Sequence, residues 1–308
     1  MSYNAETANF GVAGFPPSFF KSEYGRKRER IFQWLAEIGL DWIELQNTYG
    51  VKMKEEQALL YKKLSDSFRI GISIHGPYYI TLASADKNIV QRSKDRILQC
   101  YALAEILGAQ RIIFHPGHFP GNSANDRKSG LEQIINELIS LEHLLSNRGI
   151  FLYPETAGKK SQIGSVQDII TICENVSYTK PCIDVAHVHG FESGSLTTRA
   201  NILNVLTQIE ESLGKKALLD THFHMYPIEI DHTGEKKHRA FHDRINEIQL
   251  DLFGDSDNCD RYYPLPEHFI DAIKEKRLKP IVVCEARDSQ DSGALLLKKL
   301  YYENGDSV

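Results

Sequence analysis

The fold class that the sequence predicts is α/β, a single (β/α)8 TIM barrel, and three observations carry that reading. Helix-like and strand-like segments alternate along the whole of the 308 residues. The strand-like segments are short β-branched runs, as expected of parallel strands covered on both faces. Six of those runs stop on a residue able to bind a metal. They are Ile72-Ser73-Ile74-His75, Ile112-Ile113-Phe114-His115, Ile150-Phe151-Leu152-Tyr153-Pro154-Glu155, Cys182-Ile183-Asp184, Leu218-Leu219-Asp220-Thr221-His222 and Ile281-Val282-Val283-Cys284-Glu285. In a barrel, residues at the carboxyl ends of the strands converge on one face, however far apart they lie in sequence.

The first strand lies near Asn9-Phe10-Gly11-Val12-Ala13-Gly14 and runs into the loop Phe15-Pro16-Pro17. A helix over 26–38 follows, with Ile31, Trp34, Leu35 and Ile38 along one face and Gly39 as its stop. The second strand is Asp41-Trp42-Ile43-Glu44-Leu45. Helices over 54–67, 88–107 and 130–145 precede the strands that end at His75, His115 and Glu155. Helices over 165–174, 196–213 and 266–276 precede those ending at Asp184, His222 and Glu285, and a helix over 292–302 closes the chain. Eight strand–helix units match a barrel better than an open doubly wound sheet. No Gly-rich phosphate loop follows any strand, so no nucleotide cofactor is expected. Nothing resembling a linker divides the chain, which predicts one domain over 1–308. The longest insertion, 224–263, reads as a loop able to cover a substrate.

Hydrophobic content of 42% and charged content of 25% are those of an ordinary globular protein. A net charge of −5 gives no global attraction to nucleic acid or to an anionic membrane. Divalent ions at the rim would reverse that locally. Cys100, Cys173, Cys182, Cys259 and Cys284 contain no C-x-x-C pair, which argues against a disulfide framework and a thiolate zinc site. The first residues lack the pattern of a secretory signal, and no apolar stretch approaches the ~20 residues of a membrane span. The expectation is a reduced, cytoplasmic monomer without membrane contact.

The candidate ligands are His75, His115, Glu155, Asp184, His187, His222, His238 and Glu285. Carboxylates mixed with imidazoles suit zinc first, and manganese or iron after it. Using all of them takes two or three divalent ions, and ions ~3.5–4 Å apart are a recurrent device for phosphodiester hydrolysis. Each residue also has a purely structural reading: Asp184 can cap the turn that follows it, and Glu285 can pair with Arg287. Six unpartnered buried charges would cost several kcal/mol each, so a shared ligand is the simpler account. Lys236-Lys237-His238-Arg239 reads either as a solvated loop or as a phosphate contact, with Lys236, Lys237 and Arg239 as the candidates. Tyr78 and Tyr79 are either rim packing or a stacking surface for bases.

Seven fragments in order resemble the endonuclease IV family, metal-dependent apurinic/apyrimidinic endonucleases on a xylose-isomerase-like barrel. They are His75-Gly76-Pro77-Tyr78, His115-Pro116-Gly117, Glu155-Thr156-Ala157-Gly158, Asp184-Val185-Ala186-His187, His222-Phe223-His224, Gly234-Glu235-Lys236-Lys237-His238 and Cys284-Glu285. The resemblance implies a first ion on His75, His115 and Glu155, and a second shared by Glu155 with Asp184, His222 and Glu285. It implies a third on His187 and His238, with Glu155 as the catalytic carboxylate. The implied substrate is double-stranded DNA with abasic sites, incised on their 5′ side in base excision repair. The chain departs from the family at Lys236, where an Asp is usual and Glu235 lies one residue earlier, and at Thr81, at Val185-Ala186 and at His224. A sugar isomerase or epimerase needing one ion on Glu155, Asp184, His222 and Glu285 is the enzymatic alternative. A non-catalytic barrel binding metal or nucleic acid is the other.

Overall fold

The computed structural model describes residues 7–121, 123–145, 149–245 and 261–303. Its strands are β1 (Asn9–Ala13), β2 (Trp42–Gln46), β3 (Gly71–His75), β4 (Arg111–Phe114), β5 (Phe151–Pro154), β6 (Cys182–Asp184) and β7 (His222–His224). A hairpin of β8 (Ile228–Asp231) and β9 (Gly234–His238) comes next, and β10 (Ile281–Cys284) completes the set. The large sheet has eight strands in the order β5-β4-β3-β2-β1-β10-β7-β6, all paired in parallel. Parallel bridges Leu152–Thr179 and Glu155–Cys182 join its two edges. The expected barrel is the observed one.

The helices begin where their caps dictate. Ser123, Ser165 and Thr198 each form a capping box with the residue three positions on, which starts helices at Ala124–Ile139, Val166–Asn175 and Arg199–Leu213. The helix after β4 therefore starts earlier than its apolar spacing suggests, and it ends before the separate short helix Glu142–Leu145.

Strand alternation sorts the side chains into two cores. Phe10, Val12, Ile43, Leu45, Ile72, Ile74, Ile112, Phe114, Leu152, Ile183, Phe223 and Val282 face the helices and join the main apolar cluster. The residues between them face the lumen. Its lower part is filled by Ala13, Trp42, Ile281 and Val283 on one side, and by Ile113, Tyr153 and Cys182 on the other. One step further along each strand, the lumen residues become His75, His115, Glu155, Asp184, His224 and Glu285.

Two expectations are corrected. The seventh strand is not 218–222: Lys215–Asp220 is helical, with Leu218 buried, Leu219 49% exposed, and the Thr221 hydroxyl donating to the Ala217 carbonyl at 3.0 Å. The apolar Leu218-Leu219 pair lies on a helix, and the strand starts at His222 instead of ending there. The segment after β7, read as a loop, begins with the antiparallel hairpin β8–β9, which carries Glu235 and His238. Within that reading, 246–260 with Cys259 lie outside the described residues.

Candidate active site

Glu155 stands at the centre of the rim, fully buried among imidazoles. Its Oε2 is 3.0 Å from His75 Nε2 and 3.3 Å from His115 Nε2. Its Oε1 is 2.8 Å from His224 Nδ1 and 3.5 Å from His187 Nδ1. His224 Nδ1 also lies 3.7 Å from Asp184 Oδ2 and 3.8 Å from Glu285 Oε1. A second group sits above it, where Glu235 reaches His187 Nε2 at 3.0 Å and His238 Nε2 at 2.9 Å. Gly158 makes room for this group, since a Cβ there would come within 2.4 Å of Glu235 Oε2. Below the rim, His222 Nε2 donates to Glu44 Oε2 at 3.0 Å, and both residues are fully buried.

The structure therefore brings together His75, His115, Glu155, Asp184, His187, His238 and Glu285. His222 lies one step lower, and His224 takes the place facing Glu155, Asp184 and Glu285. Asp184 also caps the helix Val185–Phe191 by accepting from the His187 backbone N–H at 2.8 Å with Oδ1, while its Oδ2 lies on the His224 side. Glu285 is not half of a pair with Arg287, whose Nε lies 3.5 Å from Asp288 instead. Lys236 and Arg239 both pair with Glu229 of β8, and Arg239 stacks on the Tyr262 ring at 4.7 Å. Tyr78 and Tyr79 are 65% and 52% exposed beside the cluster. Glu44 and His224 also contact this cluster and were not among the residues selected from the sequence.

The hydrogen-bond network assigns tautomers that make this a cation-shaped site. His75, His187 and His238 direct Nδ1 to the backbone carbonyls of Gly76, Thr156 and Glu285 at 2.9, 2.9 and 3.0 Å. A ring that donates from Nδ1 presents a lone pair at Nε2, and each of these Nε2 atoms faces a carboxylate oxygen near 3 Å. Two acceptors cannot meet at that distance unless a proton or a cation lies between them. Backbone carbonyls fixing the far nitrogen are the usual support of metal-binding histidines. Donors around a tetrahedral zinc ion lie roughly 3.3 Å apart, close to the spacings here. Ligand atoms of His75, His115 and Glu155 fall within 4.8 Å of one another, as do those of His187, Glu235 and His238. The buried His115 Nδ1 has no hydrogen-bond partner, and His224 Nε2 lies 3.1 Å from Glu44 Oε1 without the alignment of a hydrogen bond. The donor set fits divalent ions.

In the metal-free protein the same contacts shift the titrations. Burial alone would lower the His75 pKa, but Glu155, with Glu44 and Glu285, raises it to about 9. Burial likewise opposes His238, which Glu235 and Glu285 bring to about 9. Burial would raise Glu155, yet His115, His224 and His187 hold it well below the usual carboxylate range. His115, buried and with its Coulombic partners divided, falls to about 4.

An eight-stranded parallel barrel with this carboxylate–imidazole rim defines a class of α/β barrel that gathers its chemistry at the strand ends. The chain belongs to the xylose isomerase-like TIM barrel family, whose sequence profile matches residues 32–300. It is 28% identical over 298 residues to an uncharacterized protein of Methanocaldococcus jannaschii, covering 96% of this chain and 97% of that one. It is 24% identical over 250 residues to a probable endonuclease 4 of Aquifex aeolicus, covering 78% of this chain and 83% of that one. Among solved structures it is similar to a D-tagatose 3-epimerase-like protein, with a TM-score of 0.65 and 16% identity over 96% of each chain. That structural likeness speaks for the fold alone. The resemblance to the endonuclease IV family rests on the sequence relatives.

Proposed function

We propose that this protein is a cytoplasmic, metal-dependent phosphodiester hydrolase of the endonuclease IV kind, cutting DNA on the 5′ side of abasic sites. The observation that carries the proposal is the surplus of donors. Glu155 is shared between two ligand groups, and His187, Glu235 and His238 form another, more than one ion can use. His75, His115 and Glu155 would hold one ion, and Glu155, Asp184, His224 and Glu285 a second. Glu235 would replace the family's Asp beside His187 and His238, so Lys236 does not empty that site. Bound divalent ions of this kind, zinc by its ligand preference, lower the pKa of water and neutralise the charge that develops on a phosphate ester.

The chain's own residues prepare that chemistry. Glu155 is kept ionised by its imidazole neighbours and can bridge two ligand groups with its two oxygens. Asp184 is held by its cap and by the Tyr226 hydroxyl, which donates to Oδ2 at 2.9 Å. Tyr78 lies parallel to the His115 ring, 6.5 Å between centroids, and Tyr79 stands 6.4 Å from Tyr49 with the Arg96 guanidinium over it. This exposed aromatic and cationic edge suits unstacked bases beside a backbone. Of the basic stretch on β9, Lys236 and Arg239 are engaged by Glu229, which leaves Lys237 as the better phosphate contact.

The test is incision of a duplex carrying one tetrahydrofuran abasic analogue, with and without chelator. Chelator-sensitive nicking 5′ to the lesion is the expected result, and no nicking with any divalent metal would remove the proposal. The convergence of Glu155, Asp184 and Glu285 on His224 Nδ1 favours a second reading, a sugar epimerase working with one ion. Ketose epimerisation without nicking would select it.

A further inference from the structure

Beneath the rim lies a charged group that the proposed chemistry does not use. Glu44 is fully buried in the middle of β2, on the lumen face between Trp42 and Gln46. Its Oε2 accepts from His222 Nε2 at 3.0 Å and from the Ser73 hydroxyl at 2.8 Å. Its Oε1 lies 3.1 Å from His224 Nε2, the side of that ring opposite Glu155. Gln46, two residues on, donates to Glu44 Oε1 at 3.4 Å and to Glu285 Oε1 at 3.2 Å. A buried carboxylate is costly to keep in a lumen unless its contacts do something for the fold or the site.

We infer that Glu44 and Gln46 are positioning residues through which β2 orients His224 and Glu285 toward the second ion. The argument is one of direction. A carboxylate on the Nε2 side of His224 favours the proton there, which leaves the Nδ1 lone pair facing Glu155, Asp184 and Glu285. Carboxylates behind metal-binding imidazoles act in this way, fixing both tautomer and ring orientation. His222 has its own part, since its Nε2–H donates to Glu44 from below, and its Nδ1 has no hydrogen-bond partner. Gln46 does for Glu285 what Glu44 does for His224. The inference rests on the metal reading proposed above.

Zinc competition against a chromophoric chelator tests it, using the full chain stripped of metal. Glu44→Gln is expected to weaken one zinc equivalent by roughly 10- to 100-fold and leave the others in place. Gln46→Ala, at an exposed position, is expected to weaken the same equivalent severalfold. A purely structural role would shift the melting temperature of the metal-free protein without changing any zinc constant. Wild-type zinc constants in folded Glu44→Gln would overturn the inference and leave the metal reading standing. If Glu44→Gln does not fold, unchanged constants in Gln46→Ala overturn it. A wild-type chain that binds no divalent ion removes both.

Discussion

The lower and upper halves of the barrel lumen are built from the same strands, two residues apart, and obey opposite physics. Below, the Trp42 ring fills the space that Gly71 leaves open, since a Cβ on Gly71 would fall 2.0 Å from it, and its Nε1 donates to Ser73 at 2.9 Å. Ala13, Ile281 and Val283 pack around it, so this half excludes water and stabilises by fit. Above, Glu155, Asp184 and His224 are as fully buried as that ring, but they are polar or charged. Burial there costs free energy that only partners or cations offset. A single step of strand alternation separates the part that holds the barrel together from the part that can react.

If that division is right, changes in the two halves should have separable effects. Glu155→Gln keeps the volume but loses the shared charge, so incision should fall by more than about 100-fold, beyond the loss typical of an outer partner. The metal-free melting temperature should stay close to wild type, and a parallel collapse in stability would break the division. Gly71→Ala is the converse test. Overpacking against Trp42 should destabilise the fold by about 1–3 kcal/mol in denaturant titration while zinc content stays unchanged.

Smaller effects sharpen the contrast within the upper half. Glu235 and His238 sit on the hairpin and are half-buried, whereas the Glu155 group sits on strands. His238→Ala should therefore cost about tenfold in incision, the lower end expected of a perturbed metal site. A loss equal to that of Glu155→Gln would show the two groups to be one unit. The pH dependence of metal binding follows from His75. In the metal-free protein its proton is retained up to about pH 9, and a cation must displace it. Zinc affinity should thus rise as pH approaches 9 and fall by up to about tenfold per unit below it, for each proton released. A flat profile in that range would mean that His75 is not a ligand. Tyr78→Ala should weaken duplex binding by ~1 kcal/mol without touching zinc affinity, as judged by fluorescence anisotropy.

Much of the rim was legible because β-branched runs that stop on His or a carboxylate carry two signals at once, a buried strand and its polar end. His75, His115, Glu155, Asp184 and Glu285 were found that way. His224 was missed because the apolar pair Leu218-Leu219 drew the strand two residues early, and only the helical burial of Leu218 against exposed Leu219 corrects it. Glu44 was passed over because it lies inside its strand and not at the end. Its signal was the alternation Trp42, Glu44, Gln46 on one face of β2, which in a barrel points a carboxylate into the lumen. Glu235 was named only as a stand-in for the usual Asp beside Lys236, because the segment read as a loop and not as the hairpin that carries it. The helix start at Ser123 was set by a capping box that apolar spacing, which placed the start at 130, does not report.

The most direct test of the central claim is the divalent metal content of the purified chain, measured by elemental analysis after exhaustive dialysis. Between two and three equivalents per chain is the predicted result, lost in Glu155→Gln by at least one. A wild-type protein that retains none, and takes up none when zinc is supplied, would contradict the account.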